Sequence, residues 1–221
     1  MTSAWKRTEK DRAEEPGIED AWRISYRRIA PGMVAYLAAQ GFAHPADAVV
    51  PLLLMAVRKL QALQADGRGL HTWSLLLAHR TVVRARRHHP GPIVGPSLLS
   101  GLATAQRDVL LLRLFGGLSH AQVAVTMRKR RRSVIALERE ALHMLRDLVG
   151  ATFGLRAQIS EEDAATLIAG DAFPSDPALV GLAAALERLR TAYVMDAPVH
   201  IEDQHLAEIA DRRTEAPALH L

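Results

Sequence analysis

The chain has 221 residues, of which 49% are hydrophobic and only 5% aromatic, and it carries 28 Lys and Arg against 24 Asp and Glu. That length has room for one large or two small domains, and the abundance of Leu, Ala and Arg predicts an all-α fold. The absence of cysteine excludes a disulfide framework and a thiolate zinc site. The formal charge of +4 conceals a division: up to Arg156 there are 24 Lys and Arg against 12 Asp and Glu, a balance of +12, and beyond it 4 against 12, a balance of −8. A basic body is the electrostatic footprint of a phosphate-binding surface. The acidic remainder is expected to meet that body, another protein, or water.

Residues 1–17 read as a disordered polar arm without the apolar core of a signal peptide. The longest apolar run, 48–57, is too short to span a bilayer, so no membrane partner and a cytoplasmic location are expected.

Residues 18–90 predict a first helical domain. Trp22, Tyr26, Ile29, Met33 and Leu37 keep helical spacing, and Pro31-Gly32 is expected to kink or split that helix. Pro45 opens a second helix, apolar over 48–60. Thr72 is the expected cap of a third, which buries Trp73, Leu76, Leu77 and Val83 and ends in Arg84, Arg86, Arg87, His88 and His89. Cations there either offset the helix dipole or touch nucleic acid. Residues 91–98 read as a linker, and the dozen residues between the helices, with Pro90, Pro92 and Pro96, cover at most about 40 Å.

Residues 99–150 predict a second domain of three helices. Leu102, Val109, Leu110 and Leu114 mark the first, which stops at Gly116-Gly117. Ser119-x-x-Gln122 has capping-box spacing for the second, whose stripe is Val123, Ala124 and Met127. After a basic turn at Arg128, Lys129 and Arg130, the third helix faces Val134, Leu137, Ala141, Leu142 and Leu145 inward and Ile135, Glu138 and Glu140 outward. Two short helices around a tight turn, the second headed by Arg130, Arg131, Arg132 and Ser133 with Arg139 on the same side, match a helix-turn-helix that reads duplex DNA. The run is also compatible with a solvated loop or a nonspecific phosphate clamp. A left-handed Arg128 would cost on the order of 1–2 kcal/mol, a strain that a slightly altered turn would avoid.

Residues 151–221 read as an acidic helical extension. Ser160 and Asp163 are the expected cap of one helix, and Asp176-Pro177 starts another with Leu179, Leu182, Leu186 and Leu189 as its stripe. Residues 197–221 have weak periodicity. His88-His89 lack the i, i+4 spacing of metal ligands, and Glu161-Glu162-Asp163 reads as a first-turn charge cluster. No catalytic constellation, metal site, cofactor or enzyme activity is expected.

The segment LATAQRDVLLLRLFGGLSHAQVA with SVIALEREALHMLRDL resembles the promoter-reading domain of extracytoplasmic-function sigma factors. YRRIAPGMVAYL, Pro45-x-Asp47 and Thr72-Trp73 resemble that family's other domain, which grips RNA polymerase and melts the promoter. The resemblance implies two small domains and a function in directing RNA polymerase to promoters. It assigns polymerase contact to the helix of Asp47, Val50, Leu54 and Arg58. Strand melting falls to the helix of Arg80, Arg84, Arg86 and Arg87, and the upstream promoter element to Arg128, Lys129, Arg130, Arg131, Arg132, Ser133 and Arg139. Its implied partners are promoter DNA, core polymerase and an anti-sigma factor. The pattern from Ile159 through Arg190 is similar to a segment of some anti-sigma factors, which implies that 158–195 either restrains the basic domains or caps the core. Where the family carries Asp-x-x-Gln-acidic, this chain has Asp47-Ala48-Val49-Val50-Pro51, and where it often has Asn and Asp, the third helix has Arg80 and Arg84. These departures fit a second expectation, a sigma-like DNA-binding regulator or protein-binding antagonist that does not support initiation.

Overall fold

The computed structural model describes residues 18–58, 69–88, 97–149, 159–170 and 176–193. The expected arm 1–17, most of the linker 91–98 and the segment 197–221 lie outside the described residues. Among those described, the fold is all-α, with nine helices and no strand. They are α1 (Ile18–Ala39), α2 (Pro45–Arg58), α3 (Leu70–His88), α4 (Ser97–Ser100), α5 (Thr104–Leu114), α6 (His120–Met127), α7 (Arg131–Leu148), α8 (Glu161–Ala169) and α9 (Pro177–Tyr193). No described helix is long and apolar enough to cross a membrane.

The chain divides into two units, Met1–Arg28 with Pro198–Leu221, and Ile29–Ala197. Of the first, the described part is the opening stretch of α1. In the second, α2 packs on α3, α3 on α6, and α5, α6 and α7 on one another, while α8 and α9 lie against α7. The expected linker at 91–98 does not coincide with the division between units, because helices from both sides of it share the same unit.

Two prolines sit inside helices that continue through them. α1 is not split at Pro31, and α2 begins at Pro45 and runs past Pro51. An interior proline costs about 3 kcal/mol through one lost hydrogen bond and a clash. Around Pro31, Ile29, Ala30, Met33, Val34, Tyr36 and Leu37 are all buried, and each large apolar side chain among them is worth about 1.5–3 kcal/mol. Tertiary burial outweighs the local defect. Gly32 has its own reason: a Cβ there would lie 2.4 Å from the carbonyl oxygen of Phe115, so the missing side chain lets α1 pass against the end of α5.

α3 starts at Leu70, so Thr72 lies inside its first turn and is not the cap. Its hydroxyl instead accepts from Nε2 of Gln122 at 2.9 Å, tying α3 to the start of α6. Leu75, Leu76, Leu77, Ala78 and Val82 form its buried face. At the far end of that face a polar knot joins three elements. Arg86 of α3 donates through Nη1 and Nη2 to the two carboxylate oxygens of Asp108 on α5, at 2.9 and 2.8 Å. Gln40, just after α1, donates to Asp108 at 2.9 Å and accepts from Arg86.

The acidic extension has the expected caps and stripe. Ser160 Oγ accepts from the Asp163 amide at 3.0 Å and Asp163 accepts from the Ser160 amide at 3.1 Å. Leu179, Leu182, Leu186 and Leu189 are buried, and Arg190 donates to the carbonyls of Leu167 and Ile168, holding α9 to the end of α8. Tyr193 meets Phe115 edge-on at 5.8 Å.

Candidate nucleic-acid interface

α5, α6 and α7 pack on one another around Val109, Leu110, Leu111, Leu112, Leu118, Val123, Val134, Ala141, Leu142 and Leu145, all buried. Gly117 leaves α5 with φ 58°, a left-handed backbone that glycine takes without penalty. The predicted capping box is present: the Ser119 hydroxyl accepts from the Gln122 amide at 3.3 Å and Gln122 Oε1 accepts from the Ser119 amide at 2.8 Å. α6 ends on Arg128 at φ 55°, ψ 44°, and the next amide, of Lys129, donates to Ala124 at 2.9 Å. The arginine therefore occupies the left-handed position that closes the turn.

α7 then begins on a cationic edge. Arg128, Lys129, Arg130, Arg131, Arg132 and Arg139 are exposed, and Ser133 is half-buried. Arg130 is the N-cap and its side chain makes no capping bond. Cations on the first turn oppose the helix dipole, which favours negative charge there. The stretch breaks a local rule that an anion at the helix start would satisfy.

Glu138, expected on the outer side of α7, is instead turned inward. It is 1% exposed, accepts from Arg113 Nε at 2.8 Å, and pairs with Nε2 of His120. Arg113 also donates to the Leu118 carbonyl at 2.6 Å. One carboxylate thus locks α5, the start of α6 and α7 together, because a buried charge must be paired to be tolerated. Glu140 is outward as expected and accepts from Gln106 at 3.1 Å.

On α3 the four arginines separate. Arg80, Arg84 and Arg87 are exposed, whereas Arg86 is engaged in the knot with Asp108, which is 3% exposed. Burial lowers the Arg86 pKa, but its hydrogen bonds to Asp108 and the charge of that carboxylate outweigh this, leaving a net rise. The assignment of Arg86 to nucleic acid is accordingly revised to a structural one. Nearby, Tyr36 hydroxyl and His79 Nδ1 are 2.9 Å apart. Burial, then the Asp108 charge, raises the Tyr36 pKa well above its ordinary value, and burial lowers that of His79. The assignment that satisfies both is a protonated Tyr36 donating to a neutral imidazole.

The exposed face of α3 and the end of α6 border an open hollow of about 720 Å³. Arg80, Arg84 and Arg87 line one side, Thr126, Met127 and Arg128 the other. Residues expected to serve two separate promoter contacts are thereby brought to one place. Thr126 and His79, which also lines the hollow, carry no sequence signal of binding; both are buried polar groups inside otherwise apolar helix faces.

Of the residues expected to bind polymerase, Asp47 is exposed, Val50 is 5% exposed and packs in the core, and the side chains of Leu54 and Arg58 lie outside the described set. Val50 is revised from polymerase binding to packing, because it falls on the inner face of α2 with Val49 and Leu53. α8 and α9 cover α5 and α7 and leave the six exposed cations of the turn and α7 uncovered. Among the described residues no group of three His, Asp or Glu is placed to hold a metal ion. Comparison with family models, with curated proteins and with solved structures gave no match.

Proposed function

We propose that the chain is a DNA-binding protein of transcription, of sigma-factor type, which lays the start of α7 in the major groove. The observation that carries this reading is the set of exposed guanidiniums at Arg130, Arg131 and Arg132 on an uncapped first turn, behind a turn held by the Glu138 pairings. Arginine suits both jobs of such a helix, pairing with guanine edges and gripping phosphate. The resemblance of 99–148 to promoter-reading domains supplies promoter DNA and core polymerase as partners. α8 and α9, in this reading, support the helix-turn-helix from behind.

A second reading is favoured by the Arg86–Asp108 knot, which fastens α3 to α5 and so holds the two expected promoter-contacting segments in one unit. It describes a regulator that occupies DNA without supporting initiation. Selection from a randomised duplex pool, followed by transcription from the enriched sequence with purified core polymerase, decides between them. A transcript supports the initiating sigma factor, and enrichment without a transcript supports the regulator. Failure to retain any duplex at low salt overturns both.

A further inference from the structure

Arg80, Arg84 and Arg87 sit four and three residues apart on α3, which stacks three guanidiniums on one face, and like charges so placed repel. Among the described residues none of the three has an ion-pair partner, and neither has Arg128, which closes the same hollow from α6. The dipole at a helix C-terminus accounts for part of such a cluster. It does not account for two further groups. Arg128 keeps a left-handed backbone where glycine would be unstrained. Thr126, 5% exposed, lines the hollow, and its hydroxyl, shielded from solvent, has no hydrogen-bond partner among the described residues. A buried unpaired hydroxyl is a cost that the packing of α6 alone does not explain.

The exposures give the hollow a shape. Thr126 and His79 are buried at its floor, and Arg80, Arg84, Arg87 and Arg128 stand exposed at its rim. Its volume of about 720 Å³ falls in the range of small-molecule sites, roughly 300–1,000 Å³. No carboxylate is among its described lining residues.

We propose that this hollow binds a small ligand carrying two or three linked phosphates, a function separate from duplex reading by α7. The planar guanidinium fork matches pairs of phosphate oxygens, so the four rim arginines take the phosphates. Val83 and Met127 provide an apolar wall for the ligand's organic part. A duplex presents its phosphates on a convex surface that meets the rim, whereas a compact ligand reaches the floor.

Calorimetric titration of the full chain with tripolyphosphate and with ATP, at about 0.15 M salt, tests this. Saturable binding of both is expected, weakened at least about tenfold by the double variant R80Q/R84Q and changed less than about twofold by R131Q/R132Q, which lie outside the hollow. Arg128→Gly is expected to weaken binding several-fold while leaving the thermal midpoint equal or higher, since it removes a rim guanidinium and a strained backbone together. A purely structural residue moves the midpoint down and leaves binding alone. Titration without saturation, or an equal loss in R131Q/R132Q, overturns the proposal in favour of a diffuse cationic surface. Retention of a short duplex that R80Q/R84Q weakens, with no tripolyphosphate binding, overturns it in favour of a DNA phosphodiester.

Discussion

The knot at Arg86 and the hollow at Arg87 use the same residue type one position apart on α3, and they do opposite things. Arg86 turns inward, where Asp108 neutralises it and Asp108 and Gln40 accept from its two Nη groups. Arg87 turns outward with Arg80 and Arg84, where no described residue pairs with it. A count of cations along a helix therefore says little about binding. What separates clamp from binding surface is the register of each cation relative to the buried stripe and the carboxylate that meets it.

The sharpest way to break this contrast is to remove the carboxylate. Asp108→Ala leaves the Arg86 charge half-buried without its partner, and taking one member from a buried pair costs about 3–5 kcal/mol. Because Arg86 keeps 21% exposure, a loss of about 3 kcal/mol is expected in urea unfolding. Arg87→Ala, next to it, should stay within about 0.5 kcal/mol of the parent. Equal effects from the two would erase the distinction.

A second contrast sets Glu138 against Glu140 on α7. Glu138→Gln keeps the volume but weakens charge-assisted bonds from Arg113 and His120, and is expected to cost about 2 kcal/mol in the same experiment. Glu140→Gln, on the outside, should be close to neutral. A Glu138→Gln variant as stable as the parent would mean that its pairings hold nothing.

The knot also predicts a pH dependence. Burial depresses the His79 pKa below 6.5, with Asp108 opposing and Arg86 reinforcing the shift, and Tyr36 against its ring. The unfolded chain then binds the proton that the folded one refuses, so stability is full above 6.5 and falls as pH drops below it. His143, also depressed by burial, adds in the same direction. The loss in urea midpoint between about pH 7.5 and about pH 5 should shrink in His79→Gln. An unchanged loss would show that the imidazole is not buried in its neutral form.

The smallest expected change is a gain. Arg128→Gly removes a left-handed non-glycine residue and should raise stability by about 1 kcal/mol. A loss of stability would place the Arg128 side chain in the packing of the turn.

Much of this was legible along the chain because it is local. The all-α class, the caps at Ser119 and Ser160 and the exposed head of α7 each depend on residues within about one helical turn. The continuity of α1 through Pro31, the role of Thr72 and the burial of Arg86 and Glu138 depend on partners far away in sequence. Gln122 lies 50 residues from Thr72, Asp108 22 from Arg86, and Arg113 25 from Glu138. A signal for two of these existed. Arg86 follows Val82 by four residues and His79 by seven, and Glu138 follows Val134 by four, so each charge continues a buried stripe. A charge in that register is a prediction of a buried partner. The hollow left no such mark, since it forms only when α3 and α6 pack together.

The central claim is that the leading edge of α7 meets duplex DNA, and the salt dependence of duplex affinity tests it most directly. For the parent chain the logarithm of the binding constant should fall steeply with the logarithm of salt concentration, and R130Q/R131Q/R132Q should bind more weakly with a slope shallower by about 0.9 for each phosphate no longer neutralised. The folded fraction should be unchanged, because all three side chains are exposed. An affinity and slope identical to those of the parent would contradict the account.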